Sequence, residues 1–170
     1  SVVETVKELV ADVSLVAIGH SFGGMVLAAA APRLQPRLAV YVDSPFASRG
    51  GHHFEEVAEE YEQDRRLRTV AQLSESRPHY GPHDREVEAT AAERFDPFTA
   101  AAVASARGGK WEPSAGAIVV RADPSHYVSD EDASTLRGRG LSVRSIPGAA
   151  HSVWYSHFDE FIAALPEAFH

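Results

Sequence analysis

Apolar runs without polar alternation mark three stretches of the chain: residues 14–18 (SLVAI), 38–42 (LAVYV) and 117–120 (AIVV). A strand covered on both faces in a parallel sheet has this pattern, because neither face needs polar residues for water. Residues 141–146 (LSVRSI) read as a fourth strand. Helical patterns separate them. Residues 1–11 place Val2, Val3, Val6, Leu9 and Val10 at helical spacing, and Ser1 with Glu4 has the spacing of a capping box. Residues 25–31 are dominated by alanine, the strongest helix former, and residues 131–137 and 158–165 are helical runs flanking the last strand. The alternation of strand and helix predicts an α/β fold with a parallel, doubly wound sheet.

The pattern changes between residues 46 and 114. This stretch is polar, carries helical runs at 55–73, 85–94 and 98–106, and shows no strand-like run. Turn signals such as SRGGHH and RPHYGPHD punctuate it. A helical insertion between two core strands is expected to form a cap at the C-terminal edge of the sheet, where such folds bind ligands. The expected organisation is a core at 1–45, a cap at 46–114 and a core again at 115–170.

Composition narrows the partners. With 170 residues, the chain is expected to form one core of ordinary apolar content (44%). A net charge of −8 argues against a nucleic-acid partner. The absence of cysteine excludes disulfides and thiolate metal sites. No apolar run approaches a membrane span, and the first residues do not read as a signal peptide, so a cytoplasmic location without membrane contact is the expectation.

The chemistry centres on residues 17–24, AIGHSFGG, where strand pattern passes directly into helix pattern. Gly19-His20-Ser21-Phe22-Gly23 has the form Gly-x-Ser-x-Gly, a sharp strand-to-helix turn that exposes the serine hydroxyl beside a helix N-terminus. The turn is expected to strain Ser21, and side chains at Gly19 and Gly23 are expected to collide across it. A nucleophilic serine needs a histidine within reach, and the histidine a carboxylate. Of nine histidines, His151 stands in the small-residue loop IPGAAHS just after the last strand, at the same edge as Ser21. His20 lies inside the turn and is a candidate pocket residue. His52, His53, His79, His83, His126, His157 and His170 read as solvated surface. Adjacent His52 and His53 have no companion ligands in the sequence, so no metal site is expected.

The order of Gly-x-Ser-x-Gly turn, helical insertion and late PGxxHS resembles the α/β-hydrolase superfamily, particularly its small capped members, over nearly the whole chain. The resemblance implies Ser21 as nucleophile, His151 as base and the backbone N–H of Phe22 as an oxyanion donor. It also implies an acid between them in sequence, and here the chain departs from the family. The usual position, in the loop RADPSHYVSDED, falls on Ser125. Asp123 lies two residues earlier, whereas Asp43, in VYVDSPF, stands after the preceding strand, where some members carry the acid. Asp43 is favoured and Asp123 is the alternative. A second departure is that four strands are found where the family has about eight, which leaves the apolar strand SLVAI as an open sheet edge. Truncation of a longer chain is favoured, with a second chain completing the sheet or a homodimer joined at that edge as alternatives.

The expected activity is that of a serine hydrolase acting through an acyl-enzyme on an ester, thioester or lactone of a small to medium acyl substrate. His20, Phe46 and Trp111 are candidate substrate contacts, and no cofactor is implied. The alternatives are a cofactor-free haloperoxidase or perhydrolase using the same residues, and a non-catalytic binding module that kept the fold.

Overall fold

A computed structural model describes residues 1–10 and 14–169. Ala11, expected at the end of the first helix, and His170 lie outside the described residues. These divide into two compact units, Ser1–Ala47 with Lys110–His170, and Ser48–Gly109.

The first unit is built on a four-stranded parallel sheet. Its strands are β1 (Val16–His20), β2 (Leu38–Val42), β5 (Ile118–Asp123) and β6 (Ser142–Pro147), paired in that order. The two-faced burial expected of the apolar runs is present in β2 and β5, whereas β1 is only partly buried. On one face Ala39, Tyr41, Ala117 and Val119 pack with Leu27, Ala28 and Ala31 of α2 (Phe22–Leu34) and Leu136 of α7 (Asp130–Gly138). On the other, Val40, Val42, Ile118, Val120 and Ile146 pack with Val153, Phe161 and Leu165 around α8 (Phe158–Ala163). Successive strand residues point to opposite faces, so burying both faces buries every residue, and Val40, Tyr41, Val42, Val119 and Val120 have no exposed surface.

Helix α1 (Val2–Leu9) begins at Ser1, but the serine side chain makes no capping bond. Glu4 instead forms ion pairs with the Ser1 amine and with Arg33 on α2, which hold its carboxyl down at about 2. Helix α7 carries the reciprocal cap between Ser129 and Asp132.

The second unit contains α3 (Phe54–Arg66), α4 (Val70–Ser76), α5 (Pro82–Arg94) and α6 (Pro97–Ser105). The single helical run expected at 55–73 is broken at residues 67–69. Thr69 caps α4 by accepting the Gln72 N–H, and that cap starts a new helix in place of continuing the old one. Phe54 stacks with Phe98 at 6.3 Å, and Tyr61 meets Phe95 edge-on at 5.9 Å.

The expectation of no strand in the middle stretch is corrected by a two-stranded ribbon, β3 (Ala47–Gly50) with β4 (Arg107–Lys110), where the chain enters and leaves this unit. ASRG and RGGK carry no apolar pattern to announce strands. Their pairing rests on close backbone approach, since a Cβ on Gly108 would strike the Arg49 carbonyl.

Candidate active site

Three loops at the C-terminal ends of β1, β2 and β6 converge within the first unit. Ser21 follows β1 immediately and adopts φ 52 and ψ −124, a strained conformation for a residue with a side chain. Neighbouring groups hold it there. Its N–H donates to the Val42 carbonyl at 3.0 Å, and its own carbonyl accepts from the buried Ser44 hydroxyl at 2.8 Å.

The glycines of the turn have different roles from those expected. A Cβ on Gly19 would lie 2.6 Å from the Gly23 carbonyl oxygen, as anticipated, but nothing lies within 4 Å of a Cβ on Gly23. The second crowded position is Gly24, where a Cβ would land on the Ser44 side chain. Gly23 faces outward from the first turn of α2, so the collision falls one residue later.

Asp43 follows β2 and also takes a positive φ, 41°, with its N–H donating to the Val120 carbonyl at 2.7 Å. Its side chain is 1% exposed. The Ser21 hydroxyl lies 3.0 Å from His151 Nε2, and His151 Nδ1 lies 2.8 Å from Asp43 Oδ2. A carboxylate facing Nδ1 fixes the proton on that nitrogen, so Nδ1–H donates to Asp43 and Nε2 is left to accept from Ser21. The other carboxylate oxygen, Oδ1, accepts from the Ala122 N–H at 3.2 Å and the Ser125 hydroxyl at 2.6 Å.

The alternative acid, Asp123, is not on the histidine. It ends β5 with its carboxylate 3.5 Å from the Arg121 guanidinium and its carbonyl accepting the Gly148 N–H at 2.8 Å. The oxygen on His151 Nδ1 therefore comes from the end of β2.

His20 packs on the histidine. Its Nε2–H donates to the His151 carbonyl at 3.1 Å, and its ring lies 4.5 Å from that of His151 and 4.6 Å from Trp154. Burial, reinforced by the charge of His151, holds the His20 imidazole below the usual histidine range and outweighs the His151 carbonyl and Asp43, which favour its charged form. Tyr127 lies 4.3 Å from the His151 ring. Phe22 opens α2, so its N–H has no acceptor within the helix and its ring is half exposed.

Phe46 and Trp111 flank the core. Phe46 meets the buried Tyr41 ring edge-on at 5.4 Å, and the Trp111 N–H donates to the Phe46 carbonyl at 2.9 Å. In the sequence Ser125 stands out only as the occupant of the usual acid position, and Ser44, Tyr127 and the buried Arg121 do not stand out as site residues. The one signal for Arg121 was a charge inside an otherwise apolar strand run, VVRAD. Among the described residues no cluster of side chains suits a metal ion, and no helix is long and apolar enough to cross a membrane.

The sequence model of the alpha/beta hydrolase family matches residues 1–164. No curated protein matches the sequence. Among solved structures, an esterase from Exiguobacterium antarcticum is similar at a TM-score of 0.67 and 9% identity, covering 97% of this chain and 70% of its own. An N-formylmaleamic acid deformylase from Pseudomonas putida is similar at 0.59 and 16% identity, with 89% and 66% covered. A thermophilic esterase from Thermogutta terrifontis gives 0.57 and 19%, with 91% and 64% covered. The chain thus spans about two thirds of the length of these structures, and at these identities the likeness concerns the fold.

Proposed function

This chain belongs to the alpha/beta hydrolase family, and we propose that it cleaves an ester, thioester or lactone of a small to medium acyl substrate through an acyl-enzyme on Ser21. The observation that carries this reading is the continuous hydrogen-bond chain from Ser21 Oγ through His151 to Asp43. Ser21 Oγ attacks the carbonyl carbon while His151 Nε2 takes its proton. The imidazolium then passes that proton to the leaving oxygen or sulfur, freeing the alcohol or thiol and leaving the acyl group on Ser21. Water, deprotonated by His151, attacks the acyl-enzyme and releases the acid. Asp43 keeps the imidazole in the tautomer that accepts at Nε2 and stabilises the imidazolium. The Phe22 N–H, at the positive end of α2, is placed to donate to the oxyanion, where one donor is worth about 3 kcal/mol.

Incubation with a fluorophosphonate probe followed by peptide mass spectrometry tests the reading. A phosphonyl adduct on Ser21 is expected, lost in Ser21→Ala and strongly slowed in His151→Ala. An unlabelled Ser21 in folded protein would overturn it and leave the non-catalytic binding module.

A further inference from the structure

The loop after β5 carries no acid onto His151, yet it is built against both His151 and Asp43. We propose that Ser125 is a positioning residue, whose hydroxyl, donating to Oδ1 of Asp43, fixes the carboxylate so that Oδ2 rests on His151 Nδ1. In its catalytic sense this rests on the proposed roles of Ser21, His151 and Asp43 in ester cleavage.

A buried carboxylate can rotate about its last torsion, and its partners decide whether an oxygen is aimed squarely at the imidazole. Oδ2 is held by His151 alone among the described contacts, so the orientation is set at Oδ1. Of the two donors there, the Ala122 N–H is long at 3.2 Å and the Ser125 hydroxyl short at 2.6 Å, as expected of a hydroxyl bound to a charged acceptor. The hydroxyl also has no alternative use for its proton. Its oxygen accepts from the Tyr127 N–H at 3.0 Å and the Val128 N–H at 2.9 Å, which occupies both lone pairs and aims the O–H at Asp43.

The loop is fastened behind Ser125. Arg121, with a nearly buried side chain, donates from Nη1 to the Val128 carbonyl at 2.9 Å and pairs through Nη2 with Asp130. The Asp123 carbonyl is tied to Gly148 in the histidine loop. Two residues beyond Ser125, the Tyr127 ring contacts His151 itself. Among the described contacts, the titratable side chains facing the His151 ring are Asp43, His20 and Tyr127.

Ser125 bonds the ionised form of Asp43, so removing it raises the proton affinity of the Asp43–His151 pair taken as a unit. Ser125→Ala is expected to lower kcat on p-nitrophenyl acetate about 10- to 100-fold, the range of a hydrogen bond to a charged group, with KM changed less than about twofold. The acidic limb of its pH–rate profile should move up. Ser125→Thr, which keeps the hydroxyl, should restore both. Ser125→Cys, close in shape but a poor donor, should behave as Ser125→Ala and carries the test if the alanine variant does not fold. Against an Asp43→Asn background, Ser125→Ala should cost nothing further in kcat.

The His151 ring titration, followed by NMR, reads the same effect without turnover. An upward move in Ser125→Ala or Ser125→Cys supports the positioning role even if no ester is cleaved, an outcome that would defeat only the hydrolase reading. An unmoved titration and acidic limb, with kcat lowered or not, would overturn the proposal, because a loop that merely loses packing changes amplitude and not the midpoint.

Discussion

Asp43 and Asp123 carry the same side chain, and their surroundings separate them. Asp43 is buried with its oxygens on His151, Ser125 and Ala122, whereas Asp123 is partly exposed beside Arg121. Asp43→Asn should therefore lower ester turnover by about 10⁴-fold, the scale of loss that accompanies a wrong imidazole tautomer. Asp123→Asn should stay within a few-fold, and kcat of the two variants on one p-nitrophenyl ester decides between them. In the sequence Asp43 was only the favoured of two candidates, from its place after the preceding strand, where some members of the family carry the acid, and from Ser125 filling the usual slot. The use of Ser125 as a donor was not legible, since a hydroxyl's partner depends on a turn whose geometry no local pattern announces. His20 offers a pH prediction. Its neutral form is favoured in the folded protein, so across the window from its lowered value up to the ordinary 6.5 the unfolded chain binds more protons. Stability is then lost as pH falls through that window. His20→Gln, which can still donate to the His151 carbonyl, should lose less stability than the wild type between about pH 8 and about pH 5 in urea unfolding. Equal losses would show that His20 does not sense pH.

At the scale of elements, the strand-to-helix turn was readable as a motif but not in its packing. Gly-x-Ser-x-Gly announced a strained serine, which the structure shows, yet it pointed to Gly23 where the crowding falls on Gly24. The reason lies in Ser44, a residue of another strand end that fills the space beside Gly24 while holding the Ser21 carbonyl. Gly24→Ala must displace that buried hydroxyl, and Gly19→Ala must move backbone. Each should cost about 1–3 kcal/mol or more, the range of overpacked cores. Gly23→Ala meets open space inside a helix and should be neutral or stabilising, up to about 1 kcal/mol from helix propensity alone. Thermal unfolding of the three variants checks the order, and a Gly23→Ala as damaging as Gly24→Ala would refute it. The ribbon of β3 and β4 escaped the sequence for a related reason, since strands defined by glycine approach leave no apolar periodicity to read.

For the whole molecule, runs without polar alternation predicted a sheet covered on both faces, and β2 and β5 meet that description except at their end residues Leu38 and Asp123. At β1 the same pattern has a different outcome. Among the described residues β1 pairs only with β2, so its other edge presents unpaired N–H and carbonyl groups. Ile18, in the middle of that strand, is 44% exposed although its strand partner Val40 has no exposed surface. Elsewhere in the same unit Val2, Phe22, Met25, Val26 and Trp111 line an open apolar recess, with Val2 and Phe22 about half exposed. An unprotected strand edge with an exposed apolar side chain pairs with other chains, because pairing satisfies the backbone and removes apolar surface from water together. Residues 1–170 should accordingly self-associate as concentration rises. Placing a charge on the open strand, Ile18→Lys, should shift the distribution toward monomer, since a lysine ammonium resists burial between paired strands. Sedimentation velocity over a hundredfold range of concentration measures both. A wild-type chain that stays monomeric throughout would mean that β1 is protected at its edge after all, and an Ile18→Lys chain that associates as strongly as the wild type would move the contact away from β1.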